Sequence, residues 1–184
     1  MILYELDSTL KSNGDVIDIN DSKGRLSSYF IWNKEDGNFL NFMKPRCQSQ
    51  KNIKLDNLLS SDYLPANIGI PVFSKKAMKA FESTFIDDIK GFECIVNCEE
   101  GEYVYYMCFI NVFLNLVDTE NSEFRSLSNG RKILTKAIYK NCDELDFYIA
   151  RDTNFKERLI VSQKFVDFCH SNELNINFLK VMQV

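Results

Sequence analysis

The sequence predicts an α+β fold: a largely antiparallel sheet with a few short amphipathic helices packed on it. Three observations predict it. Phe92, Cys94, Val96 and Cys98 alternate on one face, Glu99-Glu100-Gly101-Glu102 makes a turn, and Tyr103–Ile110 returns as the second arm of a hairpin. That returning strand is apolar on both faces, as expected of a strand inside a sheet with both sides covered. Ser74 and Ser162 each open a segment whose apolar residues recur at helical spacing.

The elements follow in order. Val16-Ile17-Asp18-Ile19 and Tyr29-Phe30-Ile31-Trp32 are expected as strands around the polar turn at Lys23-Gly24, and Asp36-Gly37 as a hairpin turn before Phe39–Phe42. Lys44–Asn52 is polar and contains Pro45, which indicates a loop. Leu55, Leu58 and Leu59 fit one helical turn, closed off by Pro65 and Gly69. After Phe73-Ser74 a helix presents Met78, Phe81 and Phe85; after Val161-Ser162 a second presents Phe165, Phe168 and Cys169. In each, a serine oxygen caps the orphaned N–H groups, and the preceding apolar residue can staple onto the residue four past the cap, Phe73 on Met78 and Val161 on Val166. This shared plan admits two readings, an internal duplication or two independent helix starts. Lys132–Lys140 fits a helix or a strand, and a strand is preferred.

Length and composition bound the function. A chain of 184 residues can bury a core as one domain, with a strand region over about residues 1–50 and a core over about 53–184. A net charge of −4 argues against nucleic acid as the partner, because neutralising phosphates needs a concentrated basic face; Lys75-Lys76 and Arg131-Lys132 are expected as solvated surface. The opening residues carry no cationic stretch followed by a long apolar run, and the apolar run Tyr103–Val117 is broken by Asn111 and Asn115. No membrane association is therefore expected, and a cytoplasmic protein with six reduced cysteines is.

Few groups suggest catalysis. His170, the one histidine, sits where a cation favours a helix C-terminus, and adjacent helical residues diverge too far for a Cys169–His170 dyad. Neither paired Cys-x-x-Cys spacing nor a glycine-rich phosphate loop is present, so no metal and no cofactor are expected. Asp118, Glu120 and Ser122 could share a face for a divalent cation or an acid–base pair. In the alternative, which is preferred, Asp118 ends a strand and caps the next turn, and Ser122 repeats that role. Arg151 is expected to pair with one of these acids.

The motifs also carry a resemblance in their order. Leu64-Pro65 and Pro71-Val72-Phe73-Ser74 come first, and the strand Tyr103–Ile110 runs on to Val117 and breaks into Asp118-Thr119-Glu120-Asn121-Ser122. Arg151, Leu159-Ile160-Val161-Ser162 with its helix, and Leu174–Phe178 follow. This order resembles bacterial polymorphic-toxin immunity proteins of the type numbered eleven, formerly grouped as a domain of unknown function. The similarity covers most of the chain and is strongest from about Leu64 onward. Two positions depart from the family's pattern: Ala150 stands where a large apolar residue is usual, and Asn175 where a glycine turns the chain into the last strand.

The resemblance implies a toxin inhibitor in interbacterial competition, which binds a cognate toxin domain encoded by the adjacent gene and protects the producing cell. Such a protein requires protein–protein contact and no enzymatic chemistry. It implies that Asp118, Glu120, Ser122, Arg151 and Ser162 belong to the fold. For a toxin with a basic cleft, the candidate contact residues are Glu99, Glu100 and Glu102 at the hairpin tip, with Asp87 and Asp88 near them; an ordinary solvated turn is the alternative. Two other function classes stand beside this one, a non-catalytic adaptor or regulatory module of similar fold and an enzyme using Asp118 and Glu120.

Overall fold

The computed structural model describes residues 1–10, 16–51 and 53–184. Its first elements are β1 (Leu3–Asp7), β2 (Ile17–Ile19), α1 (Arg25–Phe30), β3 (Arg46–Ser49), α2 (Leu55–Ser60), β4 (Tyr63–Leu64), β5 (Val72–Phe73) and α3 (Lys75–Glu82). There follow β6 (Ile89–Cys98), β7 (Gly101–Ile110), β8 (Phe113–Leu114), β9 (Glu123–Ser126) and β10 (Lys132–Lys136). The last are β11 (Ile149–Asp152), β12 (Leu159–Ser162), α4 (Gln163–Ser171) and β13 (Asn177–Lys180). The fold is α+β and dominated by sheet, as the strand alternation and the two serine caps predict.

The β6–β7 hairpin is the spine. Its register runs unbroken from Ile89 opposite Ile110 to Cys98 opposite Gly101. Tyr105, Met107 and Phe109 point into one core with Cys94 and Val96, while Cys108 and Ile110 enter a second core with the apolar faces of α3 and α4. The two-sided apolarity of this strand is thus burial on both sides. Gly91 lets α3 approach: a Cβ there would lie 2.6 Å from the Met78 side chain.

The six-stranded sheet runs β2-β3-β6-β7-β5-β4 and closes on itself. Ile17 bridges Ala66, just beyond β4; Val16 N donates to Pro65 O (2.9 Å) and Asn67 N to Ile17 O (3.3 Å). Closure removes the open edges of the sheet. Leu26, Tyr29 and Phe30 of α1 and Leu58 of α2 join the enclosed core.

A second sheet runs β13-β1-β12-β11-β8. It contains a match to the first. β5-α3-β6 and β12-α4-β13 each join two parallel strands through a serine-capped helix, with one antiparallel strand between them, β7 in the first unit and β1 in the second. Their registers agree. Phe73 and Val161 precede the cap serines and face Tyr106 and Tyr4. Those tyrosines face Glu93 and Lys180 on the far strand. The helices meet at Phe81–Phe165, ring centroids 5.6 Å apart; Phe85, expected on α3, lies in the turn just past its end and reaches Phe168 at 5.0 Å. The pairing has the form a duplication would give, with the second unit's middle strand supplied from the other end of the chain. Of the N-terminal strands, β1 lies in the second sheet and β2 and β3 in the barrel.

Three local expectations are overturned. Tyr29–Trp32 is not a strand: Asp21 accepts the N–H groups of Leu26 (2.9 Å) and Ser27 (2.8 Å), and Leu26, Tyr29 and Phe30 line one face of α1. Asp36-Gly37 makes no hairpin. Gly37, at φ 72, leads into a 3-10 turn over Asn38–Asn41, and a Cβ there would lie 2.6 Å from the Tyr29 ring. The polar stretch 44–51 holds β3, which pairs with β2 and, in parallel, with β6; Asn52 lies outside the described residues. Of the strand preferred over Lys132–Lys140, β10 forms Lys132–Lys136. Among the described residues, no helix is long and apolar enough to cross a membrane.

Candidate functional site

The Asp118–Ser122 segment is a hydrogen-bonded turn. Asp118 Oδ1 accepts from the N–H of Glu120 (2.9 Å) and Asn121 (3.1 Å), and Oδ2 from the Asn121 side-chain amide (3.0 Å). These bonds, the Asn121 amide first, hold its carboxyl below the usual carboxylate range. Ser122 Oγ accepts from Ile138 N (2.9 Å) and donates to Ile138 O (3.3 Å), while Asp118 N donates to the same carbonyl (2.8 Å). Asp118 thus caps the turn that follows it, while Ser122, instead of repeating that role, ties the turn to Ile138; together they fix the strand-to-ribbon junction. Glu120 is exposed.

Asp152 repeats the device in the interior, and it is the residue that sequence reasoning missed. It is fully buried, and its Oδ1 accepts from Asn154 N and Phe155 N, its Oδ2 from Leu116 N and Val117 N, all at 2.8 Å. Four N–H donors satisfy a carboxylate that burial would otherwise penalise. The signal was available: Asp152-Thr153 matches Asp118-Thr119, and both aspartates take the N–H groups two and three residues on.

Arg151 is fully buried but does not pair with Asp118 or Glu120, against the expectation. Its Nη1 donates to Lys156 O (2.8 Å) and its Nη2 to Gly69 O (3.0 Å), joining the barrel to the turn after β11. Burial pushes the guanidinium down to about 10. The expected partners, Asp118 and Glu120, lie about thirty residues before it; the carbonyl that receives Nη2 lies 82 residues away. Ala150, beside it, packs fully buried in the core with Ile160 and Tyr139, where the strand leaves room for a methyl group.

Ser162 caps α4 as expected, accepting from Phe165 N (3.4 Å) and donating to Phe147 O (2.6 Å). Ser74 caps α3 through Ala77 N (3.1 Å) and bonds Asp62, whose other oxygen accepts Asn175 N (2.8 Å). This explains the second departure. The left-handed position falls on Glu173 (φ 53), and the Asn175 amide reaches Ser60 O (2.6 Å), tying the α4–β13 turn to the barrel. Lys76 also serves this joint, donating to Glu173 O and lying 3.7 Å from Asp62.

The acidic candidates form no single patch. Glu99 and Glu100 are exposed at the β6–β7 turn, and Glu102 pairs with Arg46 across the sheet. Asp87 and Asp88 lie at the opposite end of the hairpin, where their carbonyls accept from Asn111 Nδ2 (2.7 Å) and Asn111 N (2.9 Å). Ten paired positions separate the two ends, about 30 Å at strand rise. Partial burial raises the Asp88 carboxyl, with the Tyr148 N–H opposing the shift.

A different surface stands out. β9 and β10 form a two-stranded ribbon paired with neither sheet. Leu134 and Phe124 face one another on its inner side and enter the core around Tyr139, whereas Ile133 and Arg125 face outward. A cleft of about 420 Å³ lies between the ribbon and the body, lined by Trp32, Phe155, Leu134, Arg131, Lys132 and Glu157 among others. Arg131 and Lys132 are exposed, as the sequence suggests; their neighbour Trp32 lies a hundred residues away in the chain, which no local pattern indicates. No protein-family model matches this chain, and no match was found among curated proteins.

Proposed function

We propose that this protein is an immunity protein, which binds a cognate toxin non-covalently and thereby protects the cell that makes it. One observation carries the reading. The residues on which the resemblance rests are engaged in the fold: Asp118 and Ser122 in a turn, Arg151 in a carbonyl clamp, Ser162 in a helix cap. Surfaces outside those motifs are then left for a partner, and inhibition by occupation needs only complementary shape and charge. The cytoplasm is the compartment in which such a protein would meet its toxin before or after delivery.

Co-expression with the polypeptide encoded immediately upstream tests it. Survival of the host together with a co-purified one-to-one complex is expected. The absence of both survival and a complex would remove the immunity reading in favour of an adaptor module, and an Asp118→Asn variant that stays folded but loses a chemical activity would favour an enzyme.

A further inference from the structure

We propose that the cleft beneath the β9–β10 ribbon docks an acidic segment of the partner protein that carries an apolar or aromatic side chain. This deepens the binding reading above by assigning it a surface, and it reverses the charge expected there: the protein contributes the basic side.

Charge selects the occupant. Residues 123–136 hold Arg125, Arg131, Lys132 and Lys136 against Glu123 alone, a net of +3 in a chain whose net charge is −4, so the rest of the molecule carries −7. Lys136 meets Glu123 at 3.2 Å; Arg125, Arg131 and Lys132 make no ion pair among the described residues. Two of these three line the cleft. Lysines on an open ribbon also discourage edge-to-edge pairing, but that role does not account for the apolar groups beside them. Trp32 is 39% exposed and Ile133 41%, next to the half-buried Phe155. Aromatic anchors flanked by cations are the composition of a protein-binding patch.

The ribbon is suited to present this patch. It pairs with no third strand, so an extended segment can lie along an outer edge while alternate side chains reach the cleft. The far wall is held in place, since Lys156 Nζ donates to Trp32 O (3.1 Å) and lies 5.3 Å from the Phe113 ring. A polynucleotide fits less well, because it would meet the Glu157 carboxylate in the wall and the acidic body behind it.

Trp32 is the single tryptophan and reports the cleft directly. The probe is a capped peptide of about ten residues in which Glu alternates with Phe and Val, set beside its Lys-for-Glu counterpart and a single-stranded oligonucleotide. The acidic peptide is expected to change Trp32 emission saturably, with affinity falling as salt rises. An Arg131→Glu/Lys132→Glu variant that melts like wild type is expected to bind it at least about tenfold more weakly. Lys51→Glu/Lys79→Glu, an equal change of charge at exposed sites elsewhere, is expected to bind as wild type. No emission change with the acidic peptide, or an equal one with the Lys peptide, overturns the proposal. So does tighter binding of the oligonucleotide, or a dimer in sedimentation that the ribbon variant dissolves. Toxin rescue without peptide binding would keep the immunity reading and discard this surface; peptide binding without rescue would keep the surface and remove the toxin as its partner.

Discussion

Two of the molecule's antiparallel hairpins, β6–β7 and β9–β10, are built in opposite ways. In β6–β7 every residue from Ile89 to Cys98 is paired, and both faces of β7 are covered from Met107 to Ile110, while Glu102 and Val104 near the turn are exposed. In β9–β10 one face supplies two side chains to the core, and both outer edges are open. The first is held along its length by pairing and over its inner half by packing; the second is held at its root, where Asp118, Ser122 and Asp152 fix the chain on the way in. The difference shows where packing is concentrated: the acidic tip belongs to the paired hairpin, and the basic ribbon keeps exposed cations and open edges, which is why the proposed docking surface falls there.

The strongest way to break this comparison is at the root of the ribbon. Asp152→Ala leaves four N–H groups without their acceptor, those of Leu116 and Val117 buried, and is expected to cost about 3–5 kcal/mol in chemical denaturation. A loss under 1 kcal/mol, on the order of a surface change, would mean that the ribbon is held elsewhere. Next, Met107→Ala on β7, with no exposure, is expected to cost about 2–5 kcal/mol. Ile133→Ala on the ribbon should stay within about 0.5 kcal/mol, and equal losses at the two sites would erase the distinction. At the acidic tip, Arg46→Ala removes an ion pair whose members are each 57% exposed, and a loss below about 1 kcal/mol is expected.

Alkaline pH tests the burial behind this contrast: Cys94, Tyr105, Cys108 and Cys169 lie in the hairpin and its cores, and Tyr139 in the core that the ribbon enters. Burial raises the Cys108 and Cys169 thiols above their ordinary 9.0 and the Tyr105 and Tyr139 hydroxyls above 10.0; Cys94 rises through its bond to Cys47 and through burial. The unfolded chain loses these protons first. Stability is therefore whole below about pH 9 and falls as pH climbs through 9 and then 10. Urea midpoints measured across that range are expected to drop steadily, and a flat profile would contradict the burial of these groups.

Much of the structural hairpin was legible in the sequence, and little of the ribbon's role was. Alternation at Phe92–Cys98, the two-sided apolar run after it and the caps at Ser74 and Ser162 are local signals, and each locates its element. The matched split β-α-β units were visible only as two similar helix starts, because the strand that completes the second lies at the opposite end of the chain. α1 was missed because Tyr29–Trp32 favours a strand by residue type, while the Asp21 cap that decides it stands five residues ahead of Leu26. β3 was missed because only Cys47 and Ser49 face inward, and Arg46 and Gln48 gave the stretch a loop's polarity. Arg151 to Gly69, and Trp32 to the ribbon, are long-range meetings that no local pattern encodes.

The most direct measurement of the central claim is co-expression of the upstream polypeptide with wild-type protein and with the Arg131→Glu/Lys132→Glu variant, scoring survival and co-purification together. Rescue and a stable complex with wild type, both lost in a ribbon variant that remains folded, are expected. Equal rescue by the folded variant would contradict the ribbon as the contact surface, and failure of wild-type protein to rescue or to bind would contradict the immunity function itself.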